Sequence, residues 1–150
     1  MTHDILLTIK GMQFAEDMDE EQLEVVTSGK YYEKNGKHYI KYNEVVEGFE
    51  GTVRNLIKIN ANGGMEVTKR GVMTNVHMVF EENKKNMSYY DTPFGNLLVG
   101  IAATNIDVNT QQDQIDVKVD YALEVNHEYL VDCTIQMNII SKDSRQTHLF

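Results

Sequence analysis

From Ile115 to Asn126 the chain alternates without a break. Ile115, Val117, Val119, Tyr121, Leu123 and Val125 are apolar, while Asp116, Lys118, Asp120, Ala122, Glu124 and Asn126 are mostly polar or charged. Only an extended strand turns alternate residues to opposite faces, so this run predicts a strand with one face in a core and one in water. The next run answers it with Tyr129, Val131, Cys133, Ile135, Met137 and Ile139 in alternation. The short link Asn126-His127-Glu128 between two such runs reads as an antiparallel hairpin.

The remaining chain has the same character. Val, Ile and Thr together make 37 of 150 residues, and such side chains fit a pleated, half-buried surface. Further strands are predicted around Ile5–Ile9, Leu23–Lys34, Lys37–Val46, Thr52–Asn60, Met65–Arg70, Val76–Glu82, Met87–Asp91 and Asn96–Val108. Asn35-Gly36 tolerates the positive φ of a tight hairpin turn. Gly48 with Gly51, and Asn62-Gly63-Gly64, mark two more turns, and the single proline, Pro93, marks another. Glu16–Val26 has room for a turn or two of helix, but no long amphipathic helix is legible. The expected architecture is therefore all-β, a single domain over residues 1–150. Several runs reach ten residues or more, against a usual strand of about five or six. Long antiparallel strands with short sequential links coil, and an up-and-down barrel of about 8–10 strands closes them without exposed edges. A two-sheet sandwich is the alternative, because alternation alone does not separate the two.

Charge and composition exclude several classes. The longest apolar run, Leu97–Ala103, is far short of the ~20 residues of a membrane helix. The N-terminal residues lack the basic and long apolar regions of a secretory signal. Cys133 has no partner, so no disulfide framework is expected and a cytoplasmic location follows. The net charge of −9 argues against non-specific binding to nucleic acid or anionic membrane, which both need a positive field. No basic run is longer than Lys69-Arg70 or Lys84-Lys85. The partners expected are a small apolar or amphipathic ligand or another protein, with no nucleic acid and no membrane, for a monomer or homodimer.

One stretch has a distinctive spacing: Thr27-x-Gly29-x-Tyr31-Tyr32-x-Lys34-x-Gly36-x-x-Tyr39-Ile40-x-Tyr42-x-Glu44. It is followed in order by Gly51-Thr52, Arg70-Gly71, Met78-Val79-Phe80-Glu81, Thr92-Pro93-Phe94-Gly95 and Tyr121-x-Leu123-Glu124-x-Asn126. Together these resemble the YwiB-like proteins, small bacterial proteins of undefined function. The resemblance implies a calycin-like, lipocalin-like β-barrel and implies no activity.

Chemistry-bearing residues are few. His3, His38, His77, His127 and His148 show no ligand-like spacing, so neither a metal nor a cofactor is expected. Glu16–Glu21 holds five carboxylates in six residues but lacks the turn glycine and closing glutamate of a calcium loop. Cys133 is in phase with Val131 and Ile135, which predicts a buried, unreactive thiol. Met65, Met73, Met78 and Met137 read as core fillers. One inward arrangement brings Tyr42, Glu44, Arg70 and Tyr121 to one barrel end, where an arginine among aromatic and acidic groups grips a ligand carboxylate. These four are the candidate ligand-binding residues; no catalytic residue is assigned. The leading expectation is a non-enzymatic barrel that binds a small apolar or amphipathic ligand. The alternative is a filled-core barrel acting as an interaction or regulatory module, for which Phe80, Tyr121, Leu123, Tyr129 and Met137 are large enough to plug the interior. An enzyme would need an internal acid–base set such as Glu44 with His38 or Tyr42.

Overall fold

The computed structural model describes residues 1–11, 24–45, 51–72, 74–92 and 95–142. The acidic run 16–21, Gly48, Met73, Pro93 and His148 lie outside them. The strands follow as β1 (Asp4–Lys10), β2 (Glu24–Lys34), β3 (Lys37–Val45), β4 (Thr52–Ile59) and β5 (Met65–Arg70). They continue as β6 (Asn75–Phe80), β7 (Lys84–Thr92), β8 (Gly95–Thr110), β9 (Gln114–Val125) and β10 (Glu128–Ser141). Each strand pairs antiparallel with the next, and β1 pairs antiparallel with β10 from Ile5↔Ser141 to Lys10↔Gln136. A meander closes antiparallel on itself only with an even number of strands, and ten satisfies that condition. The barrel is therefore the answer and the sandwich is not.

Turn chemistry sets the register. Asn35 and Gly36 take φ of 55° and 77°, and Asn126 and His127 take 52° and 69°. Paired positive φ values match the twist of the strands they join. Two bulges reset the phase, between Ala103 and Asn105 on β8 and between Tyr129 and Val131 on β10. The alternation expected to run unbroken from Tyr129 thus starts afresh at Val131. Strand β6 stops at Phe80, short of the expected Glu82, because Glu82 leaves to bridge Ala103 on β8. Asn83 N–H then donates to the Ala103 carbonyl at 2.8 Å.

Among the described residues the middle of the barrel is closely packed. A void wide enough for water would leave accessible surface on its walls, yet Ile5, Ile40, Ile57, Met78, Phe80, Leu123 and Ile139 each expose 0 %. Phe80 on β6 meets Tyr121 on β9 edge-to-face, with ring centroids 5.1 Å apart at 81°. Strands three places apart in the sheet thus touch through their side chains across the lumen. Met65, Met78 and Met137 are buried in the same cluster, as an adaptable side chain filling irregular space would be.

One seam is thin. β6 and β7 share a single paired position, Asn75↔Asp91. The Asn86 amide reaches across to the Val79 carbonyl at 3.4 Å, replacing one ladder bond with a side chain. Cross-lumen packing therefore carries much of the closure on that side. Phe80→Ala is expected to lower unfolding free energy by about 3–5 kcal/mol, read from urea denaturation. A loss below about 1 kcal/mol would show that the lumen is not packed at this point.

Candidate functional site

Three adjacent strands place polar groups inside the barrel at one end. The inward phase of β3 is Ile40, Tyr42, Glu44; of β4, Val53, Asn55, Ile57; and of β5, Met65, Val67, Lys69. Glu44 is the hub of this set. Its Oε1 accepts from Lys69 Nζ at 2.6 Å and from Asn55 Nδ2 at 3.3 Å. Asn55 Nδ2 also reaches the Val53 carbonyl at 3.3 Å, while Asn55 Oδ1 is buried with no hydrogen-bond partner among the described residues. Tyr42 is buried beside this group. Burial, and secondarily the Glu44 charge, push its hydroxyl well above the usual tyrosine range, so it stays protonated. Gly29 on β2 makes the space, because a Cβ there would lie 2.7 Å from the Lys41 carbonyl and 3.5 Å from Tyr42 Cβ.

Two of the four expected site residues, Tyr42 and Glu44, come together. Arg70 does not join them: it is exposed on the outer face, because Met65, Val67 and Lys69 take the inward phase of β5. The cation at the carboxylate is Lys69 instead. Tyr121 belongs to another neighbourhood, with its ring against Phe80 and its hydroxyl bonded to the Cys133 thiol. Burial, the largest effect, pushes that thiol up, and Asp132 adds to the rise while the Tyr121 bond opposes it. His38 is distant from Glu44, about 20 Å along β3 at ~3.3 Å per residue. It pairs with the Tyr31 hydroxyl at 2.7 Å at the opposite barrel end, so Glu44 and His38 form no acid–base set. Asn55 and Lys69 are not among the residues that sequence reasoning picks out. Their signal is present all the same, since each sits in the apolar phase of its strand.

The outer face of the same wall is different in kind. Lys30 and Lys34 on β2, Lys37 and Lys41 on β3, Arg54 and Lys58 on β4, and Arg70 on β5 all occupy outward positions. These are seven of the chain's 14 Lys and Arg. Glu24 on β2 and Glu66 on β5 are the carboxylates among the outward positions of these four strands. Arg54 and Arg70 are direct cross-strand partners, both exposed, and neither forms an ion pair among the described residues. Like charges directly opposite are destabilising. Their row continues to Asn43 on one side and Asn75 on the other. Tyr32 and Tyr39 stack in parallel on this face, centroids 4.9 Å apart at 8°, with Lys41 Nζ 5.4 Å from the Tyr32 centroid.

The far wall is acidic. Outward positions of β8, β9 and β10 carry Asp107, Asp116, Asp120, Glu124 and Asp132 against Lys118. A groove of about 550 Å³ crosses it, lined mostly by polar side chains such as Thr8, Asn109, Asp116 and Gln136. Asp116 accepts from Asn138 Nδ2 at 2.7 Å and from Gln114 Nε2 at 2.9 Å, so much of its hydrogen-bonding capacity is used within the wall. A second hollow of about 450 Å³ lies at the mouth of the β6–β7 seam, between Gly71, Val72, Asn75 and Asp91.

Comparison with known proteins agrees with this architecture. Residues 7–137 match the family described as "Domain of unknown function (DUF1934)". The crystal structure of the YwiB protein from Bacillus subtilis superposes with a TM-score of 0.74 at 19% identity, covering 93% of this chain and 92% of that one. At that identity the likeness is one of fold. No curated protein matches the chain.

Two predictions separate architecture from function here. Glu44→Gln should cost about 1–3 kcal/mol of stability, because a buried ammonium loses its carboxylate. Lys69→Met should stay within about 1 kcal/mol of wild type, since an apolar side chain suits the phase and the partly exposed Glu44 can hydrate. Urea denaturation of both variants checks the pair. A large loss in Lys69→Met with none in Glu44→Gln would refute this account of it.

Glu66 supplies a pH dependence. Burial pushes its carboxyl up, but hydrogen bonds with Asn60 and His77 and the Lys58 charge outweigh that and hold it below its usual 4.5. A carboxyl depressed in the fold contributes stability that is present above its unfolded value and is lost as pH falls through its folded value. Glu66→Gln should therefore remove about 0.5–1 kcal/mol at neutral pH. The difference from wild type should vanish as pH falls well below 4.5, measured by thermal unfolding across about pH 3–7. A difference that persists unchanged at the acid end would contradict it.

Proposed function

The chain belongs to the DUF1934 family, and we propose that it is a non-enzymatic barrel acting through its exterior, with the basic wall of β2–β5 as its binding surface for a polyanion. The observation that carries this reading is the Arg54–Arg70 couple, which forms no ion pair among the described residues, in a protein with nine excess negative charges. Two arginines placed directly opposite, with no carboxylate between them, cost stability in the isolated molecule. An anionic partner offsets that cost, and guanidinium groups suit oxygen anions because they bind two oxygens at once.

A lipocalin-like ligand site inside the barrel is less well supported. The lumen around Ile40, Phe80 and Leu123 is filled by side chains, whereas small-molecule pockets run to about 300–1,000 Å³. The inner Glu44–Lys69–Asn55 group has its carboxylate and ammonium already joined. The outer groove is large enough, but charged side chains such as Lys10, Glu24, Asp116 and Lys118 line it beside Val117 and Met137. Among the described residues no helix is long and apolar enough to cross a membrane. A lone, buried cysteine is consistent with work in the reducing cytoplasm.

The test is chromatographic. A protein with this net charge should flow through a heparin matrix unless its cations are gathered on one face. We expect retention at low ionic strength, elution as salt rises, and loss of retention in the Arg54→Glu/Arg70→Glu double variant. Flow-through of the wild-type protein at low salt would end this reading.

A further inference from the structure

Resting on that reading, we infer that the polyanion is a single-stranded nucleic acid, with phosphates on the lysine and arginine rows and a base stacked on Tyr39. Three features of the wall carry the inference. The first is its ordered spacing. Neighbouring strands lie about 4.8 Å apart and outward positions on one strand about 6.6 Å apart, so Lys41, Arg54 and Arg70 form a lattice of cations together with Lys30 and Lys58, which are ion-paired to Asp4 and Glu66. A flexible phosphate backbone can follow such a lattice, and each neutralised phosphate releases counterions.

The second is the tyrosine pair within that lattice. Tyr32 and Tyr39 form one aromatic slab. Lys41 lies by Tyr32, and Tyr39 makes no further ring or cation contact among the described residues. A base extends the slab on the Tyr39 side. Stacking of this kind tolerates any base, because every base has a π-face. An acidic peptide gains nothing from the slab, and a duplex keeps its bases stacked inside. The third is the polar margin: Asn43 and Asn75 flank the arginine pair with amides that donate to and accept from phosphate, sugar or base edges, and beyond Asn75 the carboxylate of Asp91 bounds the surface.

The expectation of no nucleic acid rests on net charge and on the absence of a basic run. Both are properties of the chain read along its length. The field at a surface depends on charges that are neighbours in space, and here seven of the 14 cations lie at outward positions of β2–β5.

The experiment is fluorescence anisotropy with a labelled oligouridylate of about twelve nucleotides, against a labelled poly-glutamate peptide, over a salt series. The fold of every variant is checked by circular dichroism. Binding of the oligonucleotide is expected, with log K falling linearly as log salt rises. Arg54→Ala/Arg70→Ala should reduce that slope by about 1.4, at about 0.7 for each phosphate no longer neutralised. Tyr39→Leu should weaken binding about tenfold without changing the slope, and Tyr39→Phe should restore it. If poly-glutamate binds equally well and Tyr39→Leu leaves the oligonucleotide affinity unchanged, the inference falls while the polyanion surface stands. Failure of both probes with retention on heparin also overturns the inference alone. Failure of both probes and of heparin retention overturns the surface as well.

Discussion

The β1–β10 ladder makes this molecule what it is. Until Ile5 pairs with Ser141 and Lys10 with Gln136, the chain is an open meander with two raw edges. Once they pair, every inward position on ten strands shares one lumen and every outward position belongs to one continuous wall. The two-residue period of each strand then becomes a sorting rule for the whole protein. It sends Ile, Val, Met and Tyr to the centre. It also fixes which of two adjacent basic residues is buried, as Lys69 and Arg70 show.

The lumen is narrow relative to what fills it. Phe80 and Tyr121 meet from β6 and β9, and their contact spans the part of the barrel where the β6–β7 ladder has only one paired position. Hydrogen bonding is weakest where cross-lumen packing is bulkiest. Side-chain contact holds there what the backbone ladder does not. The same packing fills the lumen around Phe80, Tyr121 and Leu123 with side chains.

Much of this is legible in the sequence. Ile115–Val125 and its partner run announce strands by alternation, and Asn35-Gly36 announces a turn through the φ values those residues tolerate. What stays hidden has physical causes. The bulges at Ala103/Asn105 and Tyr129/Val131 insert a residue without a composition signal. Side-chain chemistry favours Arg70 over Lys69, because arginine is the better carboxylate clamp, but strand phase decides which of the two faces Glu44. Asn55 is easily passed over because a single amide hardly disturbs the apolar phase of Val53, Ile57 and Ile59.

The charge pattern is the hardest feature to read, for a reason general to sheets. On a helix, charges that share a face recur three and four residues apart and can be counted along the chain. On a sheet, a direct neighbour of Arg54 is Arg70, which the sequence separates by a turn and most of two strands. Lys30 and Lys41 are likewise neighbours only through their register. A net charge of −9 then describes neither wall. Placing like charges opposite one another costs roughly 0.2–1 kcal/mol per pair, and several such neighbours lie on β2–β5. A fold that merely needed a polar exterior could disperse those cations among the carboxylates of β8–β10 and gain from both signs. The gathering of like charges on β2–β5 therefore opposes stability in the isolated barrel, and an anion bound to the basic wall would reverse the sign of that term.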